Sequence, residues 1–290
     1  RVLFRSEEMD RLRILLGIGF TVLILWSIGP IYWAMATSLT PTPDLMSQPI
    51  HFFPQRLTAY HYERLAGFGY IASNDVTVAL QFRNALVNSI ITSVLATVIS
   101  VFLATLGGYA FARLTFPGRT VIFFVVIATI AIPGYTVLIP LYRIMIGAKL
   151  LDTYTGVTLI YLSAFLPLAL WLMRSVFQQL PLSIEEAARI DGAGRLTILF
   201  RIVMPLAAPG LVAASIITFL GAWGQYMVPL IFSPNKTKPL TVLIPEFSTK
   251  NFVDYGLINA GGTIAMIVPI LIVIFLNRYL VSGLTAGSVK

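Results

Sequence analysis

The amino-acid sequence predicts an all-α integral membrane protein with six transmembrane helices, and three observations carry that prediction. Of the 290 residues, 57% are hydrophobic and only 11% charged, whereas a soluble domain carries about 25% charged residues. Too little charge remains to cover a water-facing surface, and the mean hydropathy is +0.86. The apolar residues also fall in runs near the ~20 needed to cross a bilayer as helix. These runs lie at about 14–37, 84–111, 120–142, 154–177, 206–232 and 259–281.

The first run follows the charged stretch RVLFRSEEMDRLR and ends at Ala34-Met35-Ala36, which superficially resembles a signal-peptidase site. Its length fits an uncleaved span better than the about 7–15 apolar residues of a signal peptide. The chain starts without Met, which leaves room for residues upstream. The segment from about 39 to 82, with Pro41, Pro43, Pro49 and Pro54, is too short to bury a core of its own and is expected to form an extracytoplasmic lid. The second run carries small residues, Ser89, Ser93, Thr97, Ser100, Ala104 and Gly108, as a stripe that lets helices approach closely.

An even number of spans puts both termini on one side. Arg1, Arg5, Arg11, Arg13, Arg113, Arg119, Arg189, Arg195, Arg201 and Lys290 fall in the segments of that side, which makes it cytoplasmic by the positive-inside bias. Arg174 and Arg278, near span ends on that side, agree. The opposing side holds Arg56, Arg64, Lys149, Lys236, Lys238 and Lys250, with Arg83 and Arg143 at span ends, so the bias is moderate. The net charge of +8 suits rims facing anionic lipid, and no basic stripe with stacking aromatics points to nucleic acid. Cysteine is absent, so neither a disulfide framework nor a thiolate metal site is expected.

Between the fourth and fifth runs lies LPLSIEEAARIDGAGRLTILFRIVMPLAAPG, from Leu180 to Gly210. Ser183 followed by Glu186 fits a capping box, which predicts a helix starting at about Ile184 and ending at Asp191-Gly192. A second short helix is expected over Arg195 to Met204. Its apolar residues, Leu196, Ile198, Leu199, Phe200, Ile202 and Val203, must press on the spans, on the lipid interface or on a partner.

The residues Glu186-Ala187-Ala188, then three more, Gly192, nine more, and Ile202-Val203-Met204-Pro205 resemble the EAA motif of ABC-importer permeases, with Met204 where leucine is usual. The stretch YAFARLTFPG, Tyr109 to Gly118, and the tail from Arg278 to Lys290 are similar to the sugar permeases related to the maltose system, six-span subunit included. The resemblance implies a type I importer-like fold whose 180–205 loop is a cytoplasmic coupling helix docked on a separate ATPase. It marks Glu185, Glu186, Ala187, Ala188, Asp191, Gly192, Ile202 and Pro205 as coupling residues. The partners it implies are a second homologous permease subunit, two cytoplasmic ATP-binding subunits and an extracytoplasmic solute-binding protein. The membrane is then a prokaryotic inner membrane with both termini in the cytoplasm, and the stretch from about Pro245 to Tyr255 reaches toward the solute.

No G-x-x-x-x-G-K-[ST] occurs in the chain, so ATP and Mg belong to the partner ATPase and no cofactor is expected here. Two other functions compete. An ion-coupled secondary transporter would place ionisable groups in mid-membrane, and the predicted spans hold none there. A membrane enzyme would have to use Glu185, Glu186 and Asp191, which a helix N-terminus and a turn explain without chemistry; no catalytic residue or metal cluster is assigned.

Polar groups inside apolar spans face a bundle interior or a wet cavity. Asn84, Asn88, Trp223, Gln225 and Tyr226 are therefore the candidate substrate path. Aromatic faces with amide hydrogen bonds suit a sugar, and helix packing or an interface belt would place the same residues equally well. A neutral oligosaccharide, an acidic oligosaccharide such as a uronate, and a sugar phosphate all remain open as the solute.

Overall fold

A computed structural model describes residues 2–47, 51–68, 73–248 and 253–285. Arg1, Pro49, Lys250 and the tail residues 286–290 with Lys290 lie outside the described residues. Four helices among those described are long and apolar enough to cross a bilayer, and counting each of two sharply bent helix pairs as one span raises the number to six. The chain divides into two compact units, one of residues 1–82 and 244–266, the other of residues 83–243 and 267–290.

In the first unit, α1 (Val2–Ser38) presents its apolar side chains outward from Leu12 to Trp33, as a helix surrounded by hydrocarbon does. The α1 C-terminus is buried at Ala36, Thr37 and Ser38. Two short helices follow, α2 (Thr42–Leu45) and α3 (Tyr60–Ala66). The α3 helix is pinned: His61 is fully buried and bonds the Thr40 carbonyl at 3.0 Å, and Tyr62 Oη meets Ser38 Oγ at 2.7 Å. Arg64 pairs with Asp254 at 2.6 Å. The lid residues on α3 are thus tied to the α1 end and to the residues that open the last helix.

The second unit is built on the later part of α4 (Ser73–Arg113), with α5 (Arg119–Ala128), α6 (Leu138–Gly147), α7 (Tyr154–Gln179) and α8 (Leu182–Ile190). The chain continues through α9 (Arg195–Thr197), a π-helical turn over Ile198–Val203, α10 (Met204–Leu206), α11 (Ala208–Trp223), α12 (Met227–Phe232) and α13 (Leu240–Glu246). The final helix α14 spans Tyr255–Thr285 and begins at Asp254, whose carboxylate accepts from the Leu257 amide.

Two expected spans are not single helices. The run at 120–142 bends by 94° between α5 and α6, because Pro133 forces the preceding Ile132 into an extended conformation with ψ 121°. The run at 206–232 joins a preceding helix at 81°, and α11 itself stops at Gly224, leaving Gln225 and Tyr226 between helices.

The small-residue stripe is buried from Ser89 to Gly108. At Gly108 the approach is closest, since a Cβ there would sit 2.9 Å from both the Arg174 backbone nitrogen and Met173 Cβ on α7. The core at the α8 end gathers Tyr109, Phe123, Leu170, Met173, Phe177, Ala188, Ile198, Leu199 and Val203.

Candidate functional site

The α8 helix starts two residues earlier than the capping box predicts. Its N-cap is Pro181, no side chain caps it, and Ser183 is exposed rather than folded back on the amides. A fixed proline φ serves the helix start instead. The far end behaves as expected: Asp191 is the C-cap, and Gly192 adopts φ +81°. A Cβ on Gly192 would meet nothing within 4 Å, so the constraint there is backbone handedness and not space inside this chain.

The two faces of α8 differ. Glu186, Ala187, Ile190 and Asp191 are exposed, Ile190 to 87%. Ala188 and Glu185 are buried. Glu185 therefore departs from the expected partner-facing role. Its carboxylate accepts from Tyr109 Oη at 2.7 Å and from Arg113 Nε at 2.6 Å, while Arg189 stands at 3.9 Å. Arg113 also donates from Nη2 to the Leu180 carbonyl at 2.7 Å, which caps the end of α7. This arrangement turns Glu185 away from the exposed carboxylates Glu186 and Asp191, so the three do not converge on one reaction centre.

Downstream, the apolar residues divide between burial on the spans and exposure on the outer face of the loop. Ile198, Leu199 and Val203 are buried against the spans, Ile202 is partly buried, and Leu196, Phe200 and Pro205 stay exposed.

The candidate path residues also separate. Asn84 is exposed. Asn88 is buried, with its amide nitrogen donating to the carbonyls of Lys236 and Lys238 at 3.0 and 2.9 Å and its amide oxygen accepting from Tyr154 Oη. Both ends of the amide are committed within the chain, the nitrogen to the 236–238 loop and the oxygen to Tyr154 on α7, so Asn88 is corrected to a structural clamp. Trp223 is buried and stacks on Phe219 at 5.7 Å. Gln225 and Tyr226 occupy the break between α11 and α12, where Thr241 Oγ1 donates to the Gln225 carbonyl at 2.6 Å and Tyr226 is 40% exposed. Irregular backbone at membrane depth needs either protein cover or a wet cavity, so this break is the polar interruption in the span.

Asp152 completes the clamp. Its carboxylate accepts from the amides of Lys236 and Thr237 at 2.8 and 3.0 Å and from Thr237 Oγ1 at 3.0 Å. Burial pushes its pKa up, but those amide and hydroxyl donors outweigh burial and hold it below the usual 3.8. Asp152 itself has φ +56°. Further along, the described flanks of the stretch expected to reach the solute are joined by an antiparallel bridge, Ser248 to Val253; residues 249–252 lie outside the described residues.

Sequence reasoning missed the roles of Tyr109, Arg113, Asp152 and Tyr154. A signal existed for the first two, since Tyr109 and Arg113 stand four apart and share one helix face. The Asp152 contacts span more than 80 residues of chain and leave no local pattern.

Residues 97–286 match the family described as binding-protein-dependent transport system inner membrane component. A sulfoquinovosyl glycerol transport system permease protein of Agrobacterium fabrum is 34% identical over 94% of this chain and 92% of its own. A trehalose/maltose transport system permease protein of Thermococcus litoralis is 30% identical over 99% of both chains. Among solved structures, a bacterial ABC transporter involved in the import of the acidic polysaccharide alginate superposes with a TM-score of 0.78 at 23% identity, over 93% of this chain and 96% of that one. With the bent-span architecture and the outward-facing motif loop at Glu186–Gly192, the chain belongs to the inner-membrane permease family of binding-protein-dependent ABC transporters.

Proposed function

We propose that this chain is the non-catalytic permease subunit of an ATP-driven importer that carries an oligosaccharide or sugar-like solute into the cytoplasm. A binding protein outside the membrane delivers the solute, a second homologous permease completes the pathway, and two cytoplasmic subunits bind ATP and Mg. The N- and C-termini and α8 face the cytoplasm, as the positive-inside bias of Arg113, Arg119, Arg189, Arg195 and Arg201 supports.

The exposed face of α8 carries this reading. Glu186, Ala187 and Ile190 project from a helix whose other face is locked into the chain, and an exposed large apolar side chain beside a carboxylate is the chemistry of a docking contact. Gly192 and Asp191 shape its turn, Ala188 and Ile202 pack behind it, and Pro205 stays exposed beside them. The path runs past Gln225, Tyr226 and Trp223 at the α11 break, with Asn84 further along α4.

Glu186→Lys tests the docking. The variant should insert normally but co-purify with less of the ATPase, by about tenfold in affinity, because it reverses the charge of a carboxylate on the exposed docking face. Wild-type association would return α8 to the membrane surface as an interfacial helix.

An anionic saccharide is the second reading, favoured by the 34% identity to the sulfoquinovosyl glycerol permease. Stimulation of ATP hydrolysis in the assembled importer by neutral against acidic saccharides or sugar phosphates, each loaded on the binding protein, separates the two.

A further inference from the structure

The Glu185 cluster is a joint between three helices. Tyr109 and Arg113 belong to the last turns of α4, Leu180 ends α7, and Glu185 lies in the first turn of α8. The Arg113 and Glu185 side chains are 5% and 2% exposed, and Tyr109 packs edge-on against Phe177 of α7 at 5.8 Å. Arg113 holds Glu185 with one nitrogen and the Leu180 carbonyl with another. Its planar fork thus fixes direction as well as distance, which a lysine could not do.

Apolar contacts alone would let α8 slide or roll on α4, because dispersion contacts are many, weak and non-directional. A buried, charge-assisted pair resists both motions, since parting the ions leaves each unpaired in a dry site. We propose that Arg113, with Tyr109, is the positioning residue that makes α8 and the inner end of α4 move as one body, so that force applied to the exposed face of α8 reaches α4. This rests on the reading that α8 docks on the ATPase. Glu185 then serves coupling from the inside of the chain, one residue before the outward-facing Glu186.

The test uses the complete importer, with partner permease, ATPases and binding protein, reconstituted in proteoliposomes. Arg113→Lys keeps the charge and loses the fork; Glu185→Gln keeps an acceptor for Tyr109 and loses the charge; the exchange Glu185→Arg with Arg113→Glu restores opposite charges with reversed polarity. Association with the ATPase and solute moved per ATP hydrolysed are measured for each. Association should match wild type, because the outward face is untouched. Solute moved per ATP should fall about five- to tenfold in Arg113→Lys and Glu185→Gln, and the exchange should recover part of it.

An unchanged transport-to-hydrolysis ratio in the assembled single variants would overturn the proposal and leave the cluster as passive packing. Loss of association in both single variants would overturn it equally, since the pair would then be needed to fold the loop. Glu186→Lys run in parallel separates the two ideas. If it retains association, the docking reading fails; if it loses association while the Glu185 and Arg113 variants transport at the normal ratio, only the transmission joint fails.

Discussion

Gly107 and Gly108 are neighbours on α4 with opposite expected responses to a methyl group. In a helix interior, Gly→Ala ordinarily stabilises by about 0.5–1 kcal/mol through backbone entropy. At Gly107 the new Cβ would lie 2.7 Å from Leu170 Cδ1 and 3.9 Å from its Cγ. A rotation about the last side-chain bond relieves that contact, so Gly107→Ala should be neutral or slightly stabilising. At Gly108 the Cβ would meet the Arg174 nitrogen and Met173 Cβ at 2.9 Å and the Met173 carbonyl carbon at 3.1 Å. Those atoms are fixed by α7, and separating two packed helices costs about 1–3 kcal/mol. The net for Gly108→Ala is therefore a loss of up to about 2.5 kcal/mol, centred near 1. Thermal unfolding of the detergent-purified chain, followed at one scan rate because such unfolding is kinetically controlled, should show Gly108→Ala melting below wild type and Gly107→Ala at or above it. Equal midpoints for the two variants, or a raised one for Gly108→Ala, would refute the claim that α4 and α7 touch backbone to backbone at this step.

The Gly192 turn should accept Gly192→Asn better than Gly192→Val, since φ +81° costs a β-branched residue more than asparagine; solute-stimulated hydrolysis in the assembled importer ranks them, and equal activity would place the turn outside the docking geometry. Asp152 should stabilise the chain at neutral pH. With its folded pKa held below 3.8, that contribution is present above the unfolded value and is lost as the pH falls through the folded one. Melts of wild type and Asp152→Asn should differ at neutral pH and converge below about pH 3.8, and a constant difference across that range would deny the carboxylate its role. Tyr226→Ala and Gln225→Ala should cut transport while leaving the complex assembled, because both lie at the α11 break; uptake at the unmodified rate in both would make them packing residues.

Much of this architecture was legible from apolar run length alone. The long helices and the buried stripe from Ser89 to Gly108 follow from hydropathy and four-residue spacing. The bends did not, although Pro133 marks one of them, because a run-length argument counts residues and ignores which of them can be helical. The motif loop was legible as a pattern, but not its two faces. The buried positions Leu199, Val203 and Ala207 keep the four-residue spacing of an ordinary helix face. The π-helical turn over Ile198–Val203, whose bonds run to the fifth residue, therefore left no mark in the pattern. Asn88 was misassigned for another reason: a polar residue inside a span advertises that it needs a partner, and sequence alone does not say whether a solute or the chain supplies it.

The polar clamps on α4 sit at Asn88 and at Arg113, about 37 Å apart along a helix rising 1.5 Å per residue. A typical hydrocarbon core is about 30 Å thick, so the stretch between the clamps exceeds it by less than about 10 Å. The helix between them is therefore a fixed gauge set against a deformable solvent. Thicker bilayers would draw the Asn88 and Arg113 groups toward acyl chains or force α4 to tilt, and either response strains the joints at its ends. Lipid chain length thus becomes a mechanical variable for this importer, acting on the rod that joins the 236–238 loop to α8.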